Sequence, residues 1–118
     1  MNRPVHFDLP VDDLGKAKEF YSGVFGWNFQ EFGNTGYHLT MTGEGSGIDG
    51  GMMLRNPGQP VTLTIDVADL EAHMTMVVDA GGEIVVPRMP IQGVGWLCYF
   101  KDPSGNIFGM MQNDPSAG

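Results

Sequence analysis

The chain repeats itself. Moving its first half along by 56 positions brings Val5 onto Val61, Val11 onto Val67, Asp13 onto Asp69 and Leu14 onto Leu70. Further on the offset is 58, and Gly51-Met52-Met53 falls on Gly109-Met110-Met111. Two extra residues in the intervening loops account for the change. Two long copies are too few for a solenoid, so they predict a pseudo-symmetric pair of modules.

Each copy reads in the same order. Val5-His6-Phe7-Asp8-Leu9 alternates apolar and polar residues, the mark of a half-buried strand. Asp12-Asp13 offers an N-cap for a helix with apolar positions at Leu14, Ala17, Phe20 or Tyr21, and Val24 or Phe25, stopped by Gly26. Strands are expected at Trp27 to Gln30, Tyr37 to Met41 and Gly50 to Leu54. Asn56-Pro57-Gly58 breaks the chain. The second copy alternates from Val61 to Val67. Asp69 caps a helix through Leu70, Met74, Val77 and Val78, and Gly81-Gly82 ends it. Strands follow at Glu83 to Val86, Trp96 to Phe100 and Asn106 to Gln112, with a frayed tail at Asp114 to Gly118.

The expected fold class is therefore α+β. Two β-α-β-β-β modules, 3–55 and 60–113, form one domain over residues 1–118. The length suits a single core, and a hydrophobic content of 42% fills it without staples. Each helix must bury its apolar stripe on the sheet. Val5, Phe7 and Leu9 then face the helix, and His6 and Asp8 face away. In the second copy Thr62, Thr64 and Asp66 take that opposite face. Two tryptophans and nine methionines are too many for the helix side alone. A mixed sheet curled into a cup, with the helices outside, would shelter them and create a small-molecule site.

The residues Val5-His6-Phe7-Asp8-Leu9, Asp12-Asp13-Leu14, Ala17, Phe20-Tyr21 and Phe25-Gly26-Trp27, together with the turn Asp102-Pro103-Ser104-Gly105-Asn106, resemble the vicinal oxygen chelate superfamily. This is the fold of glyoxalases, bleomycin-resistance proteins and extradiol dioxygenases. The likeness runs from about residue 4 to residue 113. It implies a cup-shaped site and a homodimer. It also implies metal ligands on the first and last strands of each module, which here are His6, Gly51, Thr62 and Gly109. Glycine offers no donor and threonine a poor one, so the usual divalent-metal site is not expected and no cofactor is assigned. A shifted site using Asp8, Asp66 and His38 is the alternative.

The ligand-binding face is expected to comprise His6, Asp8, Gly51, Met53, Thr62, Thr64, Asp66, Trp96, Gly109 and Met111, with His6 as the candidate catalytic group. Strand glycines often mark a close approach, and thioethers suit apolar ligands. Three functions follow in order. The first is binding or sequestration of an apolar or aromatic compound. The second is a metal-independent isomerase, cyclase or lyase using His6 for proton transfer, tuned by a neighbouring carboxylate. The third is a metal-dependent enzyme resembling lactoylglutathione lyase. A net charge of −8 gives no footprint for nucleic acid or an anionic membrane. No apolar run resembles a signal sequence or a membrane span, so the cytoplasm is the expected location. Cys98, the single cysteine, sits between Leu97 and Tyr99 and reads as a buried strand thiol.

Overall fold

A computed structural model describes all residues, 1–118. The elements run β1 (Arg3–Val11), α1 (Leu14–Phe25), β2 (Asn28–Glu31), β3 (His38–Met41) and β4 (Asp49–Leu54). They repeat as β5 (Thr62–Asp66), α2 (Leu70–Asp79), β6 (Glu83–Ile91), β7 (Gly95–Lys101) and β8 (Ile107–Asn113). The fold is α+β, built from two β-α-β-β-β modules. The chain packs as two compact units. One is His6–Val61, and the other is Thr62–Gly118 together with Met1–Val5.

In the first unit the strands lie in the order β2-β3-β4-β1, with β1 parallel to β4 and the other pairs antiparallel. In the second the order is β6-β7-β8-β5, with β5 parallel to β8. Both sheets are thus mixed in the same way. A helix between the first two strands of each copy makes this possible, because a parallel pair needs a crossover.

The caps form where the sequence places them. The Asp13 carboxylate accepts from Lys16 N–H at 3.0 Å, and Asp69 accepts from Ala72 N–H at 3.1 Å. Each satisfies a first-turn donor that the helix leaves open. Gly26 closes α1 at φ +74°, a left-handed position that glycine takes without strain.

Packing differs between the units. In the second, Val67, Leu70, Cys98 and Met110 form a buried cluster, backed by Ile65, Met74 and Val77. In the first, Met52 and Thr40 are fully buried, yet α1 buries no residue completely. Its inner contact is Tyr21, which stacks on Trp27 at 4.8 Å and 7°. Trp27 also meets Phe7 at 5.7 Å, so it belongs to the helix side of the sheet.

Four expectations need correction. Phe20, Val24 and Phe25 are exposed on α1, as is Val78 on α2, because a short helix on a four-stranded sheet covers only a narrow stripe. Strand β6 runs on to Ile91 through Pro87 and Pro90. As the edge strand it tolerates a residue that cannot donate to a ladder. Val61 stands outside β5 and is exposed. The tail is docked: Ala117 is buried, and its carbonyl accepts from Gly93 N–H at 3.0 Å. Asp114 accepts from Trp96 Nε1–H at 3.0 Å.

Candidate functional site

In the first module the register sets one face. Asp8 pairs with Gly51, and Gly51 with Leu39. His6 and Met53 fall on the same side, two residues from that row on their own strands. Phe7, Leu9, Met52 and His38 take the other side. His38, whose facing the sequence left open, is buried there with its Nδ1 lacking any hydrogen-bond partner.

Tyr37 joins this face from the turn before β3. A Cβ built on Gly51 would collide with Cζ and Oη of Tyr37, so the phenol ring occupies the space a side chain at 51 would need. Its hydroxyl donates to Asp8 Oδ1 at 2.8 Å. Nε2 of His6 lies 2.5 Å from the same hydroxyl and 3.5 Å from Asp8 Oδ1. The two rings lie nearly parallel, 15° apart. Asp8 is almost wholly buried, while a third of the His6 side chain stays open. The result is a hydrogen-bonded polar chain on this face, His6 to Tyr37 to Asp8, with Leu39 and Met53 as apolar neighbours.

In the second module the corresponding face carries Thr62, Thr64, Asp66, Gly109 and Met111. Thr64 pairs with Gly109 and Asp66 with Met111. Thr62 and Thr64 are buried. Gly109 is crowded too, since a Cβ there would lie 2.9 Å from Thr64 Oγ1 and 3.3 Å from Tyr99 Cε1. Asp66 Oδ1 is buried without a hydrogen-bond partner. An acceptor in that state is costly unless something donates to it.

Nine of the ten predicted residues therefore lie on the predicted faces of their modules. Trp96 does not. It packs against the helix-side core of Val67, Leu70, Cys98 and Met110. Arg88 lies over its ring at 4.4 Å. The alternation of β7 explains this, because Leu97 and Tyr99 take the opposite face. Tyr37 was missed at the sequence level. Its signal was its spacing, two residues before Leu39 on a strand opposite a glycine.

The residues do not fit the metal that the fold implies. Two of the four ligand positions are glycines, and the Tyr37 ring stands over one of them. No three His, Cys, Asp or Glu side chains gather anywhere in an arrangement that would hold a metal ion. Cys98 is no nucleophile either. Burial, and then the charge of Glu71, push its thiol up from 9.0 to about 11. No helix is long and apolar enough to cross a membrane. A groove of about 300 Å³ between α2 and β6 is lined by Met74, Thr75, Val78, Asp79 and Ile84 and brings no reactive groups together.

Paired β-α-β-β-β modules with a polar site on the sheet face away from the helix define a glyoxalase-like class, and comparison with known proteins agrees. Residues 3–43 match the family model described as bleomycin resistance protein-like N-terminal. The chain is 30% identical to the "Probable lactoylglutathione lyase" of Vibrio cholerae, over 95% of this chain and 91% of that protein. The chain belongs to the glyoxalase and bleomycin-resistance superfamily, the vicinal oxygen chelate fold. It is 29% identical to the "Putative glyoxylase CFP32" of Mycobacterium tuberculosis over 92% of its own length. It spans only 45% of that relative. A crystal structure of a glyoxalase/bleomycin resistance protein/dioxygenase superfamily member from Vibrio splendidus superposes with a TM-score of 0.66 at 20% identity, covering 95% of this chain and 98% of that one.

Proposed function

We propose that this chain is a small-molecule-binding member of its family that works without a resident metal, and that it binds or sequesters an apolar or aromatic compound bearing a polar group. One observation carries the reading. The Tyr37 ring fills the space over Gly51, and its hydroxyl bonds to both His6 and Asp8. A polar chain fixed in this way recognises a ligand group by geometry, and Leu39 and Met53 beside it suit an apolar body. The second module carries its own polar group on the corresponding face, the unpartnered Asp66 Oδ1. The reading takes modules 3–55 and 60–113 as halves of one cytoplasmic domain acting as a homodimer.

The test is equilibrium titration with a panel of aromatic and polyketide-like compounds, before and after chelation. Binding that survives chelation and weakens at least tenfold in His6→Ala is expected. No binding at high micromolar concentration overturns the reading.

The hydrogen-bond chain also supports a second reading, a metal-independent isomerase, cyclase or lyase in which His6 moves a proton. Turnover that survives chelation and vanishes in a folded His6→Ala variant is its signature. The relative's name raises a third, lactoylglutathione lyase activity. Turnover of the methylglyoxal–glutathione adduct that appears only on adding Ni²⁺ or Zn²⁺ would replace the first two.

A further inference from the structure

Three polar groups meet at one phenol oxygen, and proton counting fixes what each must do. A hydroxyl has one proton to give and two lone pairs to receive with. The Tyr37 proton goes to Asp8 Oδ1 at 2.8 Å. The phenol oxygen can then only accept from His6 Nε2, which lies 2.5 Å away. A bare lone pair on Nε2 would face two acceptors, the phenol oxygen and Asp8 Oδ1 at 3.5 Å. Nε2 therefore carries the hydrogen, and in the neutral ring Nδ1 holds the lone pair.

We propose that Tyr37 is a positioning residue that locks His6 as its Nε2–H tautomer, so that Nδ1 of His6 accepts a hydrogen bond from the ligand. The ligand class follows. It carries an O–H or N–H donor, as in a phenol or enol, on an apolar body that meets Leu39 and Met53. The buried Asp8 holds the phenol proton, so that the phenol oxygen faces His6. This rests on the proposed function for its ligand and on hydrogen-bond geometry alone for its tautomer.

The tautomer is read in the ligand-free protein from the ¹⁵N chemical shifts of the neutral His6 ring at basic pH. A protonated Nε2 whose hydrogen exchanges slowly is expected, with slow exchange lost in Tyr37→Phe. That variant keeps the ring over Gly51 and removes one oxygen. An unprotonated Nε2 in the unaltered protein overturns the proposal, as does unchanged exchange in the variant. The ligand class is read by titrating 1-naphthol and 1-methoxynaphthalene, which differ in the donor. The ether is expected to bind about tenfold more weakly, roughly the worth of one hydrogen bond, with the gap closing in His6→Ala. Equal binding of the two overturns the donor assignment. Failure of both to bind counts against the binding reading and leaves the tautomer result standing.

Discussion

The space beside Gly51 belongs to the Tyr37 ring, whereas the space beside Gly109 belongs to Thr64 and Tyr99. The two glycines are equivalent by repeat, and each lies on the face turned away from its helix. The first module uses the room to build a hydrogen-bonded chain of three side chains. The second closes it by packing. Their cores are reversed in character. The second module gathers Val67, Leu70, Cys98 and Met110 into a dry cluster. The first leaves its helix fully burying nothing, and each module keeps one unpartnered polar atom, His38 Nδ1 in the first and Asp66 Oδ1 in the second. The duplicated plan thus carries a hydrogen-bonded chain of side chains in one copy and the larger buried apolar cluster in the other.

The largest effect that would test this division is at the helix starts. Leu70 is fully buried and Leu14, its equivalent, is only half-buried. Leu70→Ala should cost about 2–5 kcal/mol in urea unfolding, through lost transfer energy and the cavity left behind. Leu14→Ala should cost less than about 2 kcal/mol because its site is partly hydrated already. Equal losses would mean that the two cores carry equal weight.

Next come the neighbouring glycines of β4. A Cβ on Gly50 would strike the backbone carbonyl of Phe7, which cannot move without the strand. A Cβ on Gly51 would strike only the end of the Tyr37 side chain. Gly50→Ala is therefore expected to destabilise by about 1–3 kcal/mol, the usual cost of overpacking. Gly51→Ala should cost less in stability, and it should expel the Tyr37 ring and abolish the slow exchange of the His6 Nε2 hydrogen. If Gly51→Ala keeps that signal, Tyr37 does not depend on the glycine.

Much of this was legible from alternation. The faces of His6, Asp8, Thr62, Thr64 and Asp66 follow from a period of two, and Asp13 and Asp69 announce their helices. What stayed hidden depends on contacts between distant segments. Tyr37 reaches Asp8 across 29 residues and His6 across 31, and no local pattern encodes that meeting. The glycine at 51 was visible, but not which ring would lie upon it. Trp96 lies on the helix side, although the surplus of bulky apolar residues suggested the opposite face, and its parity with Cys98 points to the core. The docked tail depends on the indole of Trp96 finding Asp114, again a tertiary event.

The smallest effect concerns the loops before the last strand of each module. In the first, Asp49 on β4 ties the loop by accepting from Thr42 N–H at 2.8 Å. In the second, Asp102 does so from the other end, accepting from Ser104 N–H at 2.8 Å and from Asn106 N–H at 2.9 Å. The Asn106 side-chain amide and then its backbone N–H hold the Asp102 carboxyl below its ordinary value, because each bond favours the ionised form. The folded value lies below the unfolded one of about 3.9, so the stabilisation is present above that pH and disappears as pH falls through the folded value. The stability gap between the unaltered protein and Asp102→Ala should hold steady from neutral pH to about 5 and shrink below about 4. Urea midpoints measured across that range give the answer. A gap that stays constant down to pH 2 would show that the turn is held by its backbone bonds alone, Gly105 N–H to Asp102 O and Asp102 N–H to Asn106 O.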